Sequence, residues 1–484
     1  MLRRTMHMLA AGLVMLGIVV TAPAASAETD VTVMTRNLYL GADVSIALDL
    51  LPDMPAAAQF MWDQVTATDF TKRAPALATD VAGTHPHVIG IQEATTWTCR
   101  SGLSSDTKTV YDFTQQFLDA TAQAGVPYVL ASANGSTASN PGYTIPPIPF
   151  LTRIHDPATF QPLFGKDDAE CGFVIADALA VRADLADKVI AAGTIDYTAK
   201  ADVVPVLFTI ARGNAWADVE IDGTAVRFVT THLESFWKPD QVPTSATQAD
   251  ELAQQYSATT MPLVVMGDFN SDPRDPRPAL DNPGDQPEIG AACPPQSGTD
   301  PTCSAYWTMV QHGFSDAGPD PAEPANFSWG ASALLAGPDL TRLPEALRMG
   351  NPYGFTDRLD YVFVRNGVTV NAAGLVGATW PAADDTWECT TPEQVANTKA
   401  TAKAMDLPEP QTGICLPTDH AGVVASLHIP TSTARDAAPV RVPAGGGGST
   451  VLWVIAGVLT VIWLGLVIGL VSALRGRSSP RPQQ

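Results

Sequence analysis

Short apolar runs rich in valine, isoleucine and phenylalanine recur along the chain, and each ends at polar residues. Runs of this length and composition predict buried β-strands, here at 31–34, 87–91, 173–181, 203–210, 225–230, 262–266, 361–364 and 422–427. Stretches with helical character lie between some of them, at 56–82, 110–124 and 244–256. No internal repeat interrupts this alternation. The pattern therefore predicts one mixed α/β domain of about 400 residues.

Motifs that contain oxygen- or nitrogen-bearing side chains directly follow or begin several of these strands. They are Asn37, Gln92-Glu93, Thr231-His232-Leu233-Glu234, Gly267-Asp268-Phe269-Asn270, Arg358-Leu359-Asp360-Tyr361 and Thr418-Asp419-His420. Carboxylates and amides gathered from several strand ends are the ligands that a hard divalent cation such as Mg²⁺ prefers. This pattern predicts a metal site where the strands end.

The charge of the chain limits the partners it attracts. Of its 484 residues, 50 are acidic and 28 are basic, which gives a net charge of −22. No long run of lysine and arginine is present, so a basic nucleic-acid-binding tail is excluded. Phosphate chemistry on such a chain needs a local source of positive charge, and a bound metal ion is the simplest one.

The two ends of the chain are expected to lie outside the folded domain. Residues 1–27 have the basic start, the apolar run and the small-residue cleavage pattern of a signal peptide. Residues 451–474 form an uncharged apolar stretch long enough for a transmembrane helix, with an arginine-containing tail at 475–484. Between them we expect a catalytic domain at 28–430 and a flexible linker at 431–450. This predicts a single-pass protein of the cell membrane, with the domain outside and the C-terminus in the cytoplasm.

Six cysteines lie in the part that would be exported. An even number of cysteines in an oxidising compartment indicates disulfides. Proximity in sequence favours Cys293 with Cys303 and Cys389 with Cys415, which leaves Cys99 with Cys171. Fifteen pairings of six cysteines are open at this point.

The ordered set of polar motifs resembles the endonuclease/exonuclease/phosphatase superfamily, which includes DNase I-like nucleases, neutral sphingomyelinases and inositol polyphosphate 5-phosphatases. The resemblance covers about residues 31–428, and six motifs stand in the family's order. It implies a DNase I-like, four-layer α/β sandwich, in which two facing β-sheets are flanked by helices. The active site of such a fold lies at one end of the sandwich.

The resemblance also implies a metal site. Glu93 matches the principal Mg²⁺ ligand, with Asn37 beside it, and Asp419 completes the metal or phosphate environment. Mn²⁺ is the alternative ion. Tyr39 stands where some nucleases carry an acidic second ligand, which argues against a two-metal site.

The same matching implies roles for five further residues. Asp268 and Asn270 match the pair that orients the attacking water and holds the scissile phosphate, and His420 matches the histidine that contacts the phosphate and takes part in proton transfer. Asp360 would orient His420, and His232 matches a second histidine of the nuclease and sphingomyelinase branches. Hydrolysis of a phosphodiester needs such groups, because water must be activated, the phosphate charge neutralised and the leaving oxygen protonated.

The expected function is Mg²⁺-dependent hydrolysis of a phosphodiester, and the substrate is open. The negative charge, the predicted membrane helix, the apolar stretch 145–151 and Phe236-Trp237 favour a phospholipid, as in a sphingomyelinase. The alternatives are an extracellular DNase I-like nuclease and a non-catalytic binding domain on the same fold. Arg212 either approaches the phosphate or pairs with a surface acid. The partners expected are thus a lipid or nucleic-acid phosphodiester and a membrane, and the sequence indicates no protein partner.

Overall fold

The computed structural model describes residues 29–204, 208–235, 241–275 and 300–442. The strands of these ranges are β1 (Thr29–Asn37), β2 (Val88–Arg100), β3 (Thr107–Asp112), β4 (Tyr128–Leu130), β5 (Ser132–Ala133), β6 (Ser136–Thr137), β7 (Ser139–Ile145), β8 (Arg153–His155), β9 (Asp168–Arg182), β10 (Val189–Asp196), β11 (Ala201–Val204), β12 (Phe208–Ile210), β13 (Gly213–Ile221), β14 (Thr224–His232), β15 (Leu263–Asp268), β16 (Ser315–Asp316), β17 (Asp360–Arg365), β18 (Thr369–Val376), β19 (Trp387–Cys389), β20 (Gly413–Cys415) and β21 (Gly422–Ile429). The α-helices are α1 (Val44–Asp49), α2 (Met54–Thr68), α3 (Phe70–Thr84), α4 (Phe113–Gln123), α5 (Pro157–Phe164), α6 (Thr244–Gln255), α7 (Ala305–Gln311), α8 (Leu343–Met349) and α9 (Pro392–Ala404), and short 3₁₀ helices lie at Ala183–Lys188, Pro324–Asn326 and Ala383–Asp385.

Two large sheets form the centre of the domain. The first has the order β18-β21-β1-β2-β9-β4, with β3 paired to β2 and with β7 and β8 paired to β9, and the second has the order β10-β13-β14-β15-β17-β16. Alternate side chains of both sheets meet in one apolar core, which includes Val33, Leu179, Phe228, Met266 and Val362. Gly90 is required where the sheets approach, because a Cβ there would lie 2.6 Å from Met266 Cγ.

Helices cover the outer faces of both sheets. Trp62 of α2, Leu77 of α3 and Phe117 of α4 are buried against the first sheet. Leu252 of α6 and Met309 of α7 pack in the same way on the second sheet. The order of layers is therefore helix, sheet, sheet, helix, which confirms the predicted four-layer α/β sandwich.

The topology gathers the ends of particular strands. β1 runs parallel to β2, and β14 runs parallel to β15, so β14 and β15 end at one edge of their sheet, and β1 ends where β2 bulges before continuing to Arg100. β17 and β21 run antiparallel to β15 and β1, so both begin at that edge. The polar residues that end β1, β14 and β15, together with those at the bulge of β2, thus meet those that begin β17 and precede β21.

Three predicted elements differ from the structure. The helix predicted at 56–82 is two helices, because the chain turns at Asp69, whose φ is +32°. The strand predicted at 203–210 is part of a hairpin of β11 and β12, with residues 205–207 outside the described ranges. The stretch 382–416, in which no helix or strand was predicted, contains α9 and the paired strands β19 and β20. The pairing of β19 with β20 spans α9, and apolar periodicity does not reveal such non-local pairing.

Two of the favoured disulfides are present. Cys99 pairs with Cys171 between β2 and β9, and Cys389 pairs with Cys415 between β19 and β20. Cys293 of the third favoured pair lies outside the described residues.

The predicted location in a membrane needs correction. Within the described ranges, no helix is both long enough and apolar enough to cross a bilayer. The predicted signal peptide at 1–27 and the predicted span at 451–474 lie outside those ranges. A single-pass membrane protein, and contact with a membrane through a C-terminal helix, are therefore not supported.

The chain beyond β21 contacts the second sheet. The Asp436 carboxylate accepts hydrogen bonds from the backbone N–H groups of Thr260 and Met261 at 2.8 and 2.9 Å. The Arg227 guanidinium on β14 donates to the carbonyl of Ala437 at 3.0 Å. These bonds place this part of the segment 431–442 on the domain surface.

Candidate active site

Asn37 ends β1, and Glu93 lies beside it in β2, one residue after the last pair between these parallel strands, Asn37 with Gln92. A β-bulge between Ile91 and Ala94 places Glu93 at a φ of +53° and turns its carboxylate towards the cleft. Asn37 Nδ2 donates to Glu93 Oε1 at 3.2 Å, and the Leu40 N–H donates to Glu93 Oε2 at 2.5 Å. The strained bulge and these bonds aim the carboxylate at the space between the two sheets.

Asp268 ends β15 at the centre of the site. The preceding Gly267 cannot be replaced without strain, since a Cβ there would lie 2.0 Å from the carbonyl oxygen of Thr231. Asp268 Oδ2 accepts from Asn37 Nδ2 at 3.1 Å, and Oδ1 accepts from the Asn270 N–H at 2.8 Å. This aspartate therefore joins the polar ends of the two sheets.

Burial raises the pKa of Asp268 to about 7. His420 opposes this shift, while the carboxylates of Asp360 and Glu93 add to it by repulsion. A carboxylate with such a pKa exchanges protons near neutral pH, which suits a general base.

His420 and Asp360 form a buried pair. His420 Nδ1 lies 2.9 Å from Asp360 Oδ2, which also accepts from Ser328 Oγ at 2.6 Å. Burial alone would lower the pKa of His420, but the carboxylates of Asp360, Asp268 and Asp419 hold it well above its ordinary value. The surrounding carboxylates therefore favour the protonated imidazole, which can donate from Nε2, 3.6 Å from Asp268 Oδ2.

Asp419 lies beside His420 on the loop that enters β21. Its Oδ2 accepts from Trp329 Nε1 at 3.3 Å. Burial raises the pKa of Asp419 to about 6; His420 opposes the shift and Glu93 adds to it. The ring of Trp329 stacks on the guanidinium of Arg342, whose Cζ is 3.9 Å from the ring centroid.

His232 ends β14 and lies between two nitrogen donors. Its Nδ1 is 2.9 Å from an Arg212 guanidinium nitrogen, and its Nε2 is 3.1 Å from Asn270 Nδ2. Arg212 also donates to Glu234 at 3.3 Å. Burial, Arg212 and His420 together hold the pKa of His232 well below its ordinary value.

The structure brings all eight predicted site residues together. A cleft of about 500 Å³ is lined by Glu93, His232, Asp268, Asn270, Asp419 and His420. Asn37 and Asp360 are buried behind this lining and are hydrogen-bonded to it. The cleft therefore holds acids, two histidines and an amide within reach of one bound group.

The donor set fits a hard divalent cation. Repulsion among Glu93, Asp268 and Asp419 contributes to two raised pKa values, and a cation would relieve it. Among the described residues, Asp268, Asp360 and His420 also offer atoms within 4.8 Å of one another. Because His420 is already paired with Asp360, and Mg²⁺ prefers oxygen to imidazole ligands, the acidic side of the cleft is the better position for Mg²⁺.

One buried arginine that the sequence did not indicate supports the loops of the site. The Arg73 guanidinium on α3 donates to the carbonyls of Leu38 at 2.7 Å, Tyr39 at 3.0 Å and Pro417 at 2.9 Å. It thereby ties the loop after β1 to the loop that carries Asp419. Within the sequence it is one more basic residue in a helical stretch.

Further residues near the site were also missed. Ser328 and Trp329 come from a loop that meets His420 through an isolated bridge, so only the folded chain brings them close. Asp177 of β9 is buried near Arg212, and burial raises its pKa well above the ordinary value, against the effect of Arg212. Arg212 itself lines the cleft, which supports the first of its two expected positions.

Comparisons with known proteins point to one family. The model of the endonuclease/exonuclease/phosphatase family matches residues 65–420. An endonuclease/exonuclease/phosphatase family protein from Bacteroides thetaiotaomicron has a similar structure at 15% identity, with 84% of this chain and 99% of that chain covered and a TM-score of 0.41. The mannosyl-6-phosphatase of Bacteroides thetaiotaomicron matches at 14% identity, covering 82% of this chain and 99% of its own, with a TM-score of 0.38. D. rerio TDP2, solved with a single-strand DNA product, matches at 14% identity, with 82% of this chain and 99% of that chain covered and a TM-score of 0.37. No curated protein matches the chain. With most of its length matched by the family model, the chain belongs to the endonuclease/exonuclease/phosphatase family.

Proposed function

We propose that this protein hydrolyses a phosphodiester bond with Mg²⁺, or Mn²⁺ in its place, bound in the cleft. The observation that carries the proposal is the position of the Asn37, Glu93 and Asp419 oxygens beside the buried His420–Asp360 pair. Such a site can neutralise a phosphate on one side and donate hydrogen bonds to it on the other. Asn37, Glu93 and Asp419 would hold the metal, which supplies charge neutralisation of the phosphate when bound.

The remaining residues supply proton transfer and positioning. Asp268, with its pKa near 7, accepts a proton from the attacking water, and Asn270 holds the phosphate next to it. His420 is oriented by Asp360, whose carboxylate favours the protonated ring, so His420 would contact a phosphate oxygen through Nε2 and give its proton to the leaving oxygen as the bond to phosphorus breaks. These groups act on the central phosphate and do not by themselves select a substrate.

An apolar pocket beside the cleft favours a phospholipid. It has a volume of about 70 Å³, and its lining is almost entirely apolar, including Met61, Trp97 and Phe173. Val44 and Tyr143 line both this pocket and the cleft, so the two spaces adjoin. An alkyl chain attached to a bound phosphate would therefore find an apolar space next to it.

Exposed apolar side chains that are close in sequence to residues lining this pocket also support a phospholipid substrate. Ile46 is 45% exposed, Phe150 is 72% exposed and Leu151 is 45% exposed. Ile46 lies on α1, and the other two lie in the apolar stretch 145–151 noted in the sequence. Phe236 and Trp237, which the sequence also favoured for lipid contact, lie outside the described residues.

A nuclease is the second candidate. Arg212 and Arg342 both line the cleft and supply positive charge there, although the net charge of the chain is −22. Two arginines suit one or two phosphates better than the many contacts that tight binding of long nucleic acid requires.

The test compares sphingomyelin micelles and plasmid DNA as substrates for one preparation with Mg²⁺. We expect the unaltered protein to hydrolyse the lipid and the Glu93→Ala variant not to hydrolyse it. Cleavage of DNA alone would replace the lipid assignment with the nuclease one. Val44→Asp, which places a charge between pocket and cleft, should lower lipid hydrolysis while sparing a small soluble phosphodiester, whereas Val370→Asp on an exposed strand should affect neither.

A further inference from the structure

The ring of His232 has an unusual pair of neighbours. Nδ1 lies 2.9 Å from an Arg212 guanidinium nitrogen, and Nε2 lies 3.1 Å from the amide nitrogen of Asn270. A neutral imidazole carries one N–H and accepts a hydrogen bond at the other nitrogen only. The two donors therefore cannot both be satisfied, and one of them decides which nitrogen carries the proton.

Arg212 is the stronger of the two donors. Its guanidinium is always charged, its side chain is only 12% exposed, and Glu234 holds it in place at 3.3 Å. Burial opposes the charged form, but Glu234 and Asp177 outweigh it, so the pKa of Arg212 lies above the ordinary value. A proton on Nδ1 would face this cation directly, which makes Nδ1 the acceptor.

The remaining proton then lies on Nε2, on the side of the cleft. Asp268 Oδ2, 3.5 Å away, is a carboxylate that this N–H can approach. The Asn270 amide on the same side is uncharged, and it donates from Nδ2 to the Leu233 carbonyl at 2.8 Å. The contact between Asn270 Nδ2 and His232 Nε2 is therefore the one that does not form a hydrogen bond, and the contact between Arg212 and Nδ1 does.

We infer that Arg212 fixes His232 as the neutral tautomer with its proton on Nε2, so that His232 gives the substrate a hydrogen bond and not a proton. Arg212 is then a positioning residue for the reaction. This inference rests on the proposed function and gives His232 a specific role in it, since a neutral imidazole is a far weaker acid than an imidazolium ion and stabilises an oxyanion by donation alone.

Nitrogen-15 NMR of the histidine-labelled full chain tests the tautomer without any substrate. The His232 signals are assigned by their absence from the His232→Gln spectrum. At pH 7 we expect a protonated Nε2 and an unprotonated Nδ1, and loss of this single state in Arg212→Met. A proton on Nδ1, or on both nitrogens, in the unaltered protein would overturn the inference.

Kinetics test the role of the hydrogen bond. Glutamine places an amide N–H near the position of Nε2 but cannot transfer a proton, so His232→Gln should keep kcat within about tenfold of the original, while His232→Ala should lose about 100-fold or more. Equal large losses in both variants would show proton transfer and contradict the inference.

The Arg212 variants complete the test. Arg212→Met should lower kcat with little change in KM, and Arg212→Lys should restore part of it, because an ammonium can still donate to Nδ1. Arg227→Met is the matched control, since Arg227 is a buried arginine of the same sheet paired with Asp218 at 2.7 Å, away from the cleft. It should lower stability and spare kcat. Absence of phosphodiesterase activity in the unaltered protein would overturn the proposed function. The NMR experiment tests the tautomer of His232 independently of that activity.

Discussion

Replacing Asp360 with asparagine removes one negative charge from His420 while keeping the size of the side chain. Asp360 Oδ2 is 2.9 Å from His420 Nδ1, and both side chains are at most 5% exposed. Water therefore cannot take over the role of the carboxylate. The amide either presents a neutral oxygen to Nδ1 or turns its NH₂ group towards it, and both outcomes disfavour the protonated ring.

The size of the effect follows from this hydrogen bond. A buried hydrogen bond between charged groups contributes about 3 kcal/mol, and a loss of that size in the transition state corresponds to roughly 100-fold in rate. We therefore expect Asp360→Asn to lower kcat by about 100-fold. KM should change little, because the acids that would hold the metal are unaltered.

The assay is the hydrolysis of a soluble phosphodiester under saturating Mg²⁺, with circular dichroism to verify the fold. Asp218→Asn serves as a matched control, because Asp218 is a buried aspartate paired with Arg227 and lies away from the cleft. A kcat within threefold of the unaltered protein for Asp360→Asn would refute the role of the pair. A loss as large in Asp218→Asn would show that the effect reflects stability and not the site.

Contacts around the cleft lead to three other expected outcomes. Arg73→Met should lower the free energy of unfolding by about 3 kcal/mol, since it leaves buried carbonyls without their donor, whereas the exposed Arg441→Met should change it by less than about 0.5 kcal/mol in the same urea titration. Removing the disulfide with Cys389→Ala and Cys415→Ala should cost about 3 kcal/mol, because 26 residues separate the cysteines; an unchanged urea midpoint would contradict this. The pKa of about 6 for Asp419 means that protons compete with metal below that pH, so Mg²⁺ affinity should fall by roughly tenfold per pH unit there. Calorimetric titrations with Mg²⁺ at several pH values measure this dependence. An affinity that does not change with pH would contradict the assignment of Asp419 as a metal ligand.

The proximity of the eight candidate site residues could be predicted from the sequence because most of them lie at the ends of strands. Asn37, His232 and Asp268 each end a strand in one of two parallel pairs, and parallel neighbours end at the same edge of a sheet. Asp360 begins the strand that pairs with Asp268, residue opposite residue. Strand pairing places His232, Asp268 and Asp360 together in the second sheet, and the packing of the two sheets brings Asn37 of the first sheet to them.

The parts that were missed depend on contacts between distant loops. Ser328 and Trp329 reach the site through a loop that pairs with Asp357 and His420, and nothing in their own neighbourhood indicates it. The division of the long helix at Asp69 depends on a left-handed turn that an aspartate can adopt but does not require. The local sequence pattern predicts neither feature, because tertiary packing determines both.

The central claim is that the cleft hydrolyses a phosphodiester with a metal held beside Glu93. The most direct test is the rate of hydrolysis of bis(p-nitrophenyl) phosphate by the full chain, measured with Mg²⁺, after EDTA, and after Mg²⁺ is restored. We expect activity that EDTA abolishes and Mg²⁺ restores, and almost none with Glu93→Ala or His420→Ala. Full activity in EDTA, or in both variants, would contradict the claim.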